Sequence, residues 1–119
     1  MTEARPRLTV GLAGTATVVR LNDERMVGDE VIHEVRNQLY ALAAATPSPR
    51  LVLDLSAIRG YSSEFLGNLI GLNRRLIADG GSLRLCALGP ELRDAIGILH
   101  LDRIFAISET LEAALAEPS

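Results

Sequence analysis

Two adjacent serines, Ser62 and Ser63, stand in the stretch "RGYSSEFL" at residues 59 to 66. An apolar run ending in an acid, "LVLDL", precedes them, and apolar residues at helical spacing, "FLGNLIGLNRRLI", follow. A hydroxyl between a strand and a helix can do two things. It can accept a hydrogen bond from the open amides of the helix, which stabilises the helix by about 1 kcal/mol. The same amides and the helix dipole can also accommodate an added phosphate, so that the serine becomes a phosphorylation switch. The residues alone leave both roles open.

Other groups carry less chemistry. Asp54 closes the apolar run, and an acid there could receive a phosphoryl group or hold a metal, as in response-regulator receiver domains. Receivers add paired acids after the first strand and a lysine after a later one, whereas the early strands here end in "LAG" and "LND" and the chain has no lysine. Asp54 is therefore read as a structural acid bonded to loop amides. "GLAG" at 11 to 14 is followed by a strand rather than a helix, so it reads as a hairpin turn and not a nucleotide loop. His33 and His100 are far apart and lack metal-ligand spacing, so each is expected to be a surface or a satisfied helix residue. Cys86, the one cysteine, sits in "LRLCAL" as a small core thiol, so neither an internal disulfide nor a cysteine metal cluster can be assembled. No nucleophile, histidine and acid triad emerges from the spacing.

All twelve basic residues are arginine. A Walker A loop needs a lysine on the nucleotide phosphates and a Schiff-base enzyme needs a lysine amine, so neither can be built. The net charge of −3 gives no electrostatic footprint for non-specific nucleic-acid binding and leaves room for a basic partner surface. No apolar run approaches the roughly 18 to 20 residues that span a bilayer, and "MTEARPRLTV" lacks the apolar segment of a secretory signal. A cytoplasmic location is the expectation. With 119 residues, 48% of them apolar and 23% charged, the sequence reads as a single domain over residues 1 to 119.

The elements that must position the serines follow from periodicity. Leu8, Val10 and Leu12, a Gly14-Thr15 turn, then Thr17, Val19 and Leu21 predict an initial β-hairpin. Val31, Val35, Leu39 and Leu42 predict a helix over 30 to 45, ended by "TPSP". "RLVLDLS" is apolar on both faces and reads as the central strand. Phe65, Leu69, Leu72 and Leu76, widened by Leu66, Ile70 and Ile77, predict a second helix from Ser63 to the stop at Gly80-Gly81. Then come a strand "SLRLCAL", a short helix "PELRDAIGILHL" opened by proline, a strand "RIFAI", and a last helix capped by Ser108. This alternation predicts an α/β fold with a mixed, mostly parallel sheet of four to five strands and about four helices. In such sheets reactive groups gather at the carboxyl ends of the strands, where the serine pair lies.

The stretch from "LVLDLSAIRGYSSEFL" through "GPELRDAIGILHLDRIFAISETLEAAL" resembles the STAS domains of bacterial anti-sigma-factor antagonists. The match is specific in the central and carboxyl-terminal parts and looser in the hairpin. In that family the loop after the central strand reads Asp-Ser-Ser/Thr-Gly-Leu, and the serine after the aspartate is phosphorylated by a partner kinase that is also an anti-sigma factor. The resemblance puts Ser62 at the phosphoacceptor, Ser63 at the second hydroxyl, Tyr61 at the aspartate, Glu64 at the glycine and Phe65 at the leucine. Tyr61 removes an acid, and Glu64 adds a carboxylate where the family leaves room for a close partner.

What the resemblance implies is a non-enzymatic regulatory binding module without cofactor or metal. It would dock an anti-sigma factor or histidine-kinase-like serine kinase through Tyr61, Ser62, Ser63, Glu64 and Phe65, and ATP and Mg²⁺ would belong to that partner. The alternative is a STAS-like scaffold that assembles with other STAS proteins in a signalling complex, or with a lipid-transport ATPase, without switching. Within the pair, Ser62 is expected to be the reachable hydroxyl and Ser63 the cap.

Overall fold

Residues 6–117 are described by the computed structural model. Strands β1 (Leu8–Ala13) and β2 (Ala16–Leu21) form the hairpin, turning at Gly14 and Thr15. The two-residue strand β3 (Arg25–Met26) leads into helix α1 (Asp29–Ala44). Strand β4 (Arg50–Asp54), a second two-residue strand β5 (Gly60–Tyr61) and helix α2 (Ser63–Ala78) come next. Strand β6 (Ser82–Cys86), helix α3 (Pro90–Ile98), a 3₁₀ turn (Leu101–Arg103), strand β7 (Ala106–Ser108) and helix α4 (Leu111–Ala116) complete the chain order.

Five strands make one sheet in the order β1-β2-β4-β6-β7, antiparallel between β1 and β2 and parallel elsewhere. β4 is thus the middle strand, which is why Leu51, Val52 and Leu53 are all buried although successive side chains point to opposite faces. On one face Val19, Leu21, Leu51, Leu53, Leu83 and Leu85 pack with Val35 and Leu39 of α1 and with Phe65, Leu69, Leu72 and Leu76 of α2. On the other, Ala16, Val52 and Cys86 meet Ala114 of α4.

Two glycines are required by geometry. Gly28, at φ 93°, turns the chain into α1 without a side-chain cap. Gly81 lets the end of α2 return onto the loop before β4, since a Cβ there would lie 2.2 Å from the Pro49 carbonyl oxygen.

The structure corrects four details. Ile77 does not join the buried stripe of α2 and is 61% exposed. The last strand is Ala106–Ser108 rather than "RIFAI": Phe105 is buried at the end of the preceding turn. Thr110, not Ser108, caps α4 by accepting a hydrogen bond from the Ala113 amide, because Ser108 lies in β7 and its hydroxyl accepts from Arg84. The β3·β5 pair is an addition that the periodicity of the sequence does not predict.

Candidate functional site

The loop beyond β4 is built almost wholly by backbone hydrogen bonds. Asp54 accepts from the Ser56 amide at 2.9 Å, an Asx turn that redirects the chain as it leaves the sheet. The Ile58 amide then donates to Leu55, and the amides of Arg59 and Gly60 both donate to the Glu24 carbonyl, at 2.7 and 3.0 Å. Gly60 and Tyr61 pair in parallel with Arg25 and Met26, and the Ser62 amide donates to the Met26 carbonyl at 3.1 Å. This two-strand clamp ties the serine loop to the entry of α1. Helices α1 and α2 therefore start from neighbouring positions, one after Gly28 and the other after Ser62.

Ser62 is the N-cap of α2. Its backbone is extended (φ −109°, ψ 164°), and its Oγ accepts from the Phe65 amide at 3.4 Å. Ser63 is the first helical residue and is exposed. The expected division within the pair is thus reversed with respect to capping: Ser62 caps, because the clamp holds it in extended conformation and leaves Ser63 already helical. Ser62 is half-buried and Glu64 is exposed in the first turn, where its carboxylate complements the helix dipole. Asp29 and Glu30 occupy the first turn of α1. The first turns of both helices are consequently acidic, while the clamp beside them carries the exposed Arg25 and Arg59.

Phe65 does not belong to this surface. It is buried at 2% exposure in the main core, so its part in any docking is to fix the first turn of α2 from below. Tyr61 is half-buried, and its hydroxyl donates to the Glu91 carbonyl at 3.5 Å. It lines a cleft of about 380 Å³ together with Ser56, Ile58, Arg59 and the Gly89–Leu92 start of α3. This cleft was not legible in the sequence, because it arises where the β4 loop meets the entry to α3, two segments about thirty residues apart.

The remaining reactive groups are separate from it. Cys86 is fully buried and its Sγ donates to the Leu53 carbonyl at 3.4 Å. Burial, and then the charge of Asp54, push its thiol up to about 11, which makes it a poor nucleophile. His33 and His100 are exposed. Among the described residues no three His, Cys, Asp or Glu side chains form a group that could hold a metal. No helix among them is long and apolar enough to cross a membrane.

The serine that caps α2 thus follows the middle strand of a mixed five-stranded sheet. The model of the STAS domain matches residues 12–114. The chain belongs to the STAS domain family. Its fold is similar to an anti-sigma-factor antagonist (STAS) domain protein from Planctomyces limnophilus, with a TM-score of 0.82 and 19% identity over 91% of this chain and 94% of that one. An anti-sigma factor antagonist from Mycobacterium paratuberculosis is 30% identical, with a TM-score of 0.76, over 91% of this chain and 89% of that one. The Bacillus cell fate determinant SpoIIAA in its phosphorylated form gives 0.67 and 18% identity over 91% and 96%.

Proposed function

We propose that this STAS domain is a regulatory protein-binding module of the anti-sigma-factor-antagonist type, docking an anti-sigma factor or histidine-kinase-like serine kinase through Tyr61, Ser62, Ser63 and Glu64. The observation that carries the reading is the position of Ser62. Its hydroxyl stands at the open amino end of α2, held there by the β3·β5 clamp, with exposed Ser63 and Glu64 beside it. The 30% identical relative is an anti-sigma factor antagonist, which supports the same class of partner. The module acts by binding, in the cytoplasm, and ATP and Mg²⁺ belong to its partner.

Control is exerted by phosphate on Ser62; the structurally similar SpoIIAA is a protein that has a phosphorylated form, which supports this reading. A phosphate adds a charge of about −1.5 to −2 at the docking surface. Asp29, Glu30 and Glu64 put acids at the two helix starts, beside Arg25 and Arg59 of the clamp, so the helix starts suit a basic partner patch and added phosphate crowds a further anion next to Glu64. The same crowding favours the second reading, a STAS scaffold in a signalling complex or on a lipid-transport ATPase that docks without switching.

The test is a kinase assay with the ATP-binding anti-sigma factors of the source genome, read by mass spectrometry of the 59 to 74 peptide, with binding measured for Ser62→Asp. Phosphate on Ser62 and weakened binding of Ser62→Asp support the switch. Binding that ignores Ser62→Asp, with neither serine modified, selects the scaffold. Absence of binding to every such partner overturns the anti-sigma reading.

A further inference from the structure

The outer edge of β1 is open among the described residues. The Asn22 amide donates to the Arg7 carbonyl at 2.9 Å, and the hairpin register continues unbroken from Leu8↔Leu21 to Ala13↔Ala16. Opposed residues of an antiparallel pair alternate between hydrogen-bonded and non-hydrogen-bonded. Arg7, Thr9, Gly11 and Ala13 therefore turn their amides and carbonyls toward β2, and Leu8, Val10 and Leu12 turn theirs outward. Sheets usually guard such an edge with a lysine, a proline, a bulge or an inward charge. The sequence "LTVGLA" has none of these, and its register contains no bulge.

The side chains add to this. Leu12 is 84% exposed and Val10 48%, both on the face that α1 and α2 cover farther in. Beside them lies an uncharged groove of about 340 Å³ between β1 and α1, lined by Leu8, Val10, Gln38, Ala41 and Leu42.

We infer that β1 pairs with β1 of a second copy of this chain, antiparallel about a two-fold axis at Val10, joining the two five-stranded sheets into one. The occupant is a second copy because the edge is complementary to itself. With Val10 opposite Val10, Leu8 falls opposite Leu12, so every outward amide and carbonyl meets an outward partner, two hydrogen bonds for each opposed pair. In the same register Leu12 of one copy lies over Leu8 and enters the groove of the other. No charge stands on β1 or on the groove wall, so the pairing strand and the groove bury no charge of their own. Gly11, whose added Cβ would meet nothing within 4 Å inside one chain, falls opposite Thr9, where the two backbones approach. One strand per copy buries less than roughly 1,200 Å² in total, the range of weak and transient association. The dimer is expected at micromolar concentrations and above. β2 separates this edge from β4, so dimerisation leaves Ser62 accessible.

Sedimentation velocity of the full chain, from micromolar to near-millimolar concentration, tests the pairing. A concentration-dependent monomer–dimer equilibrium is expected, and Leu12→Asp should weaken it by more than about tenfold, or ~1.4 kcal/mol. The melting temperature of the diluted protein should not change, since Leu12 is exposed. On a Cys86→Ala background, the double variant Thr9→Cys/Gly11→Cys should form a disulfide-linked dimer under mild oxidation, because these residues are opposed across the two-fold axis as a non-hydrogen-bonded pair, whose Cα atoms are about 4.5 Å apart. Thr9→Cys alone should not. A chain that stays monomeric throughout overturns the inference. So does a dimer that survives Leu12→Asp and is not trapped through the Thr9→Cys/Gly11→Cys pair, since it would use another surface.

Discussion

The Ser62 hydroxyl accepts the hydrogen bond of the Phe65 amide, so the group proposed as the phosphoacceptor is also the cap of α2. The bond is long, at 3.4 Å, and lies at the weak end of cap geometry. Modification would therefore sacrifice little, since phosphate oxygens can take up the same amides. Cap and acceptor need not be different serines.

That double role sets the stability of the variants. Ser62→Ala should cost about 0.5 to 1 kcal/mol, the low end for losing a cap, while Ser62→Asp keeps an acceptor at the N-cap and should melt like the parent. Ser63→Ala, at an exposed first helical position, should fall within about 0.5 kcal/mol of the parent. Urea denaturation of the three variants decides the order. A larger loss in Ser63→Ala than in Ser62→Ala would return the cap to Ser63.

Leu69→Ala should destabilise by about 2 to 5 kcal/mol, because Leu69 is 1% exposed in the middle of the α2 stripe and its truncation leaves a cavity beneath the sheet. Denaturant melts at constant m-value measure it. A loss below about 1 kcal/mol would mean that the core closes over the gap.

The Cys86 thiol is held up to about 11 against an ordinary 9.0, chiefly by burial. The folded state thus keeps its proton where the unfolded chain has released it. This contribution is fully present below about pH 9 and is lost as pH rises toward 11. A tenfold difference in acidity between the folded and unfolded chain is worth about 1.4 kcal/mol, so the stability gap between the parent and Cys86→Ala should change by roughly 2 to 3 kcal/mol across that window. Parallel urea melts at pH 8 and pH 11 give the difference. A gap that does not change with pH would show that the thiol titrates alike in both states.

What the sequence revealed and what it concealed divide along physical lines. Long amphipathic runs were readable in their centres: Val35 and Leu39 of α1, and Phe65, Leu69, Leu72 and Leu76 of α2, are buried where their spacing puts them, whereas Val31 and Leu42 of the expected α1 stripe are only partly buried and Ile32 and Ala43 take the buried places. The central place of β4 followed from apolar residues on both of its faces. Two-residue strands have no periodicity, so Arg25–Met26 and Gly60–Tyr61 gave no signal, and with them went the clamp that decides which serine caps. Ser108 and Thr110 are two residues apart with equal capping chemistry, and only the extra reach of β7 separates them. Motif position alone puts Phe65 at the docking surface, although its place on the apolar stripe directs it inward.

Glu64 is the residue through which the two functional readings separate. It stands exposed in the first turn of α2, two residues from the Ser62 hydroxyl, with Asp29 and Glu30 at the start of the neighbouring helix. Once Ser62 carries phosphate, the Glu64 carboxylate faces a second anion, and exposed charges at this range repel by no more than about 1 kcal/mol. Glu64→Gln removes the charge while keeping the side chain, so it should raise the rate of Ser62 phosphorylation by about two- to fivefold. Glu64→Gly should do the same and also open space for a close partner, at about 1 kcal/mol of helix stability. Rates come from the kinase assay at low and high salt. Screening predicts that the gain from Glu64→Gln shrinks as salt rises, while any further gain from Glu64→Gly persists because it is steric. A Glu64→Gln protein phosphorylated no faster than the parent at low salt would show that its carboxylate does not restrain the acceptor.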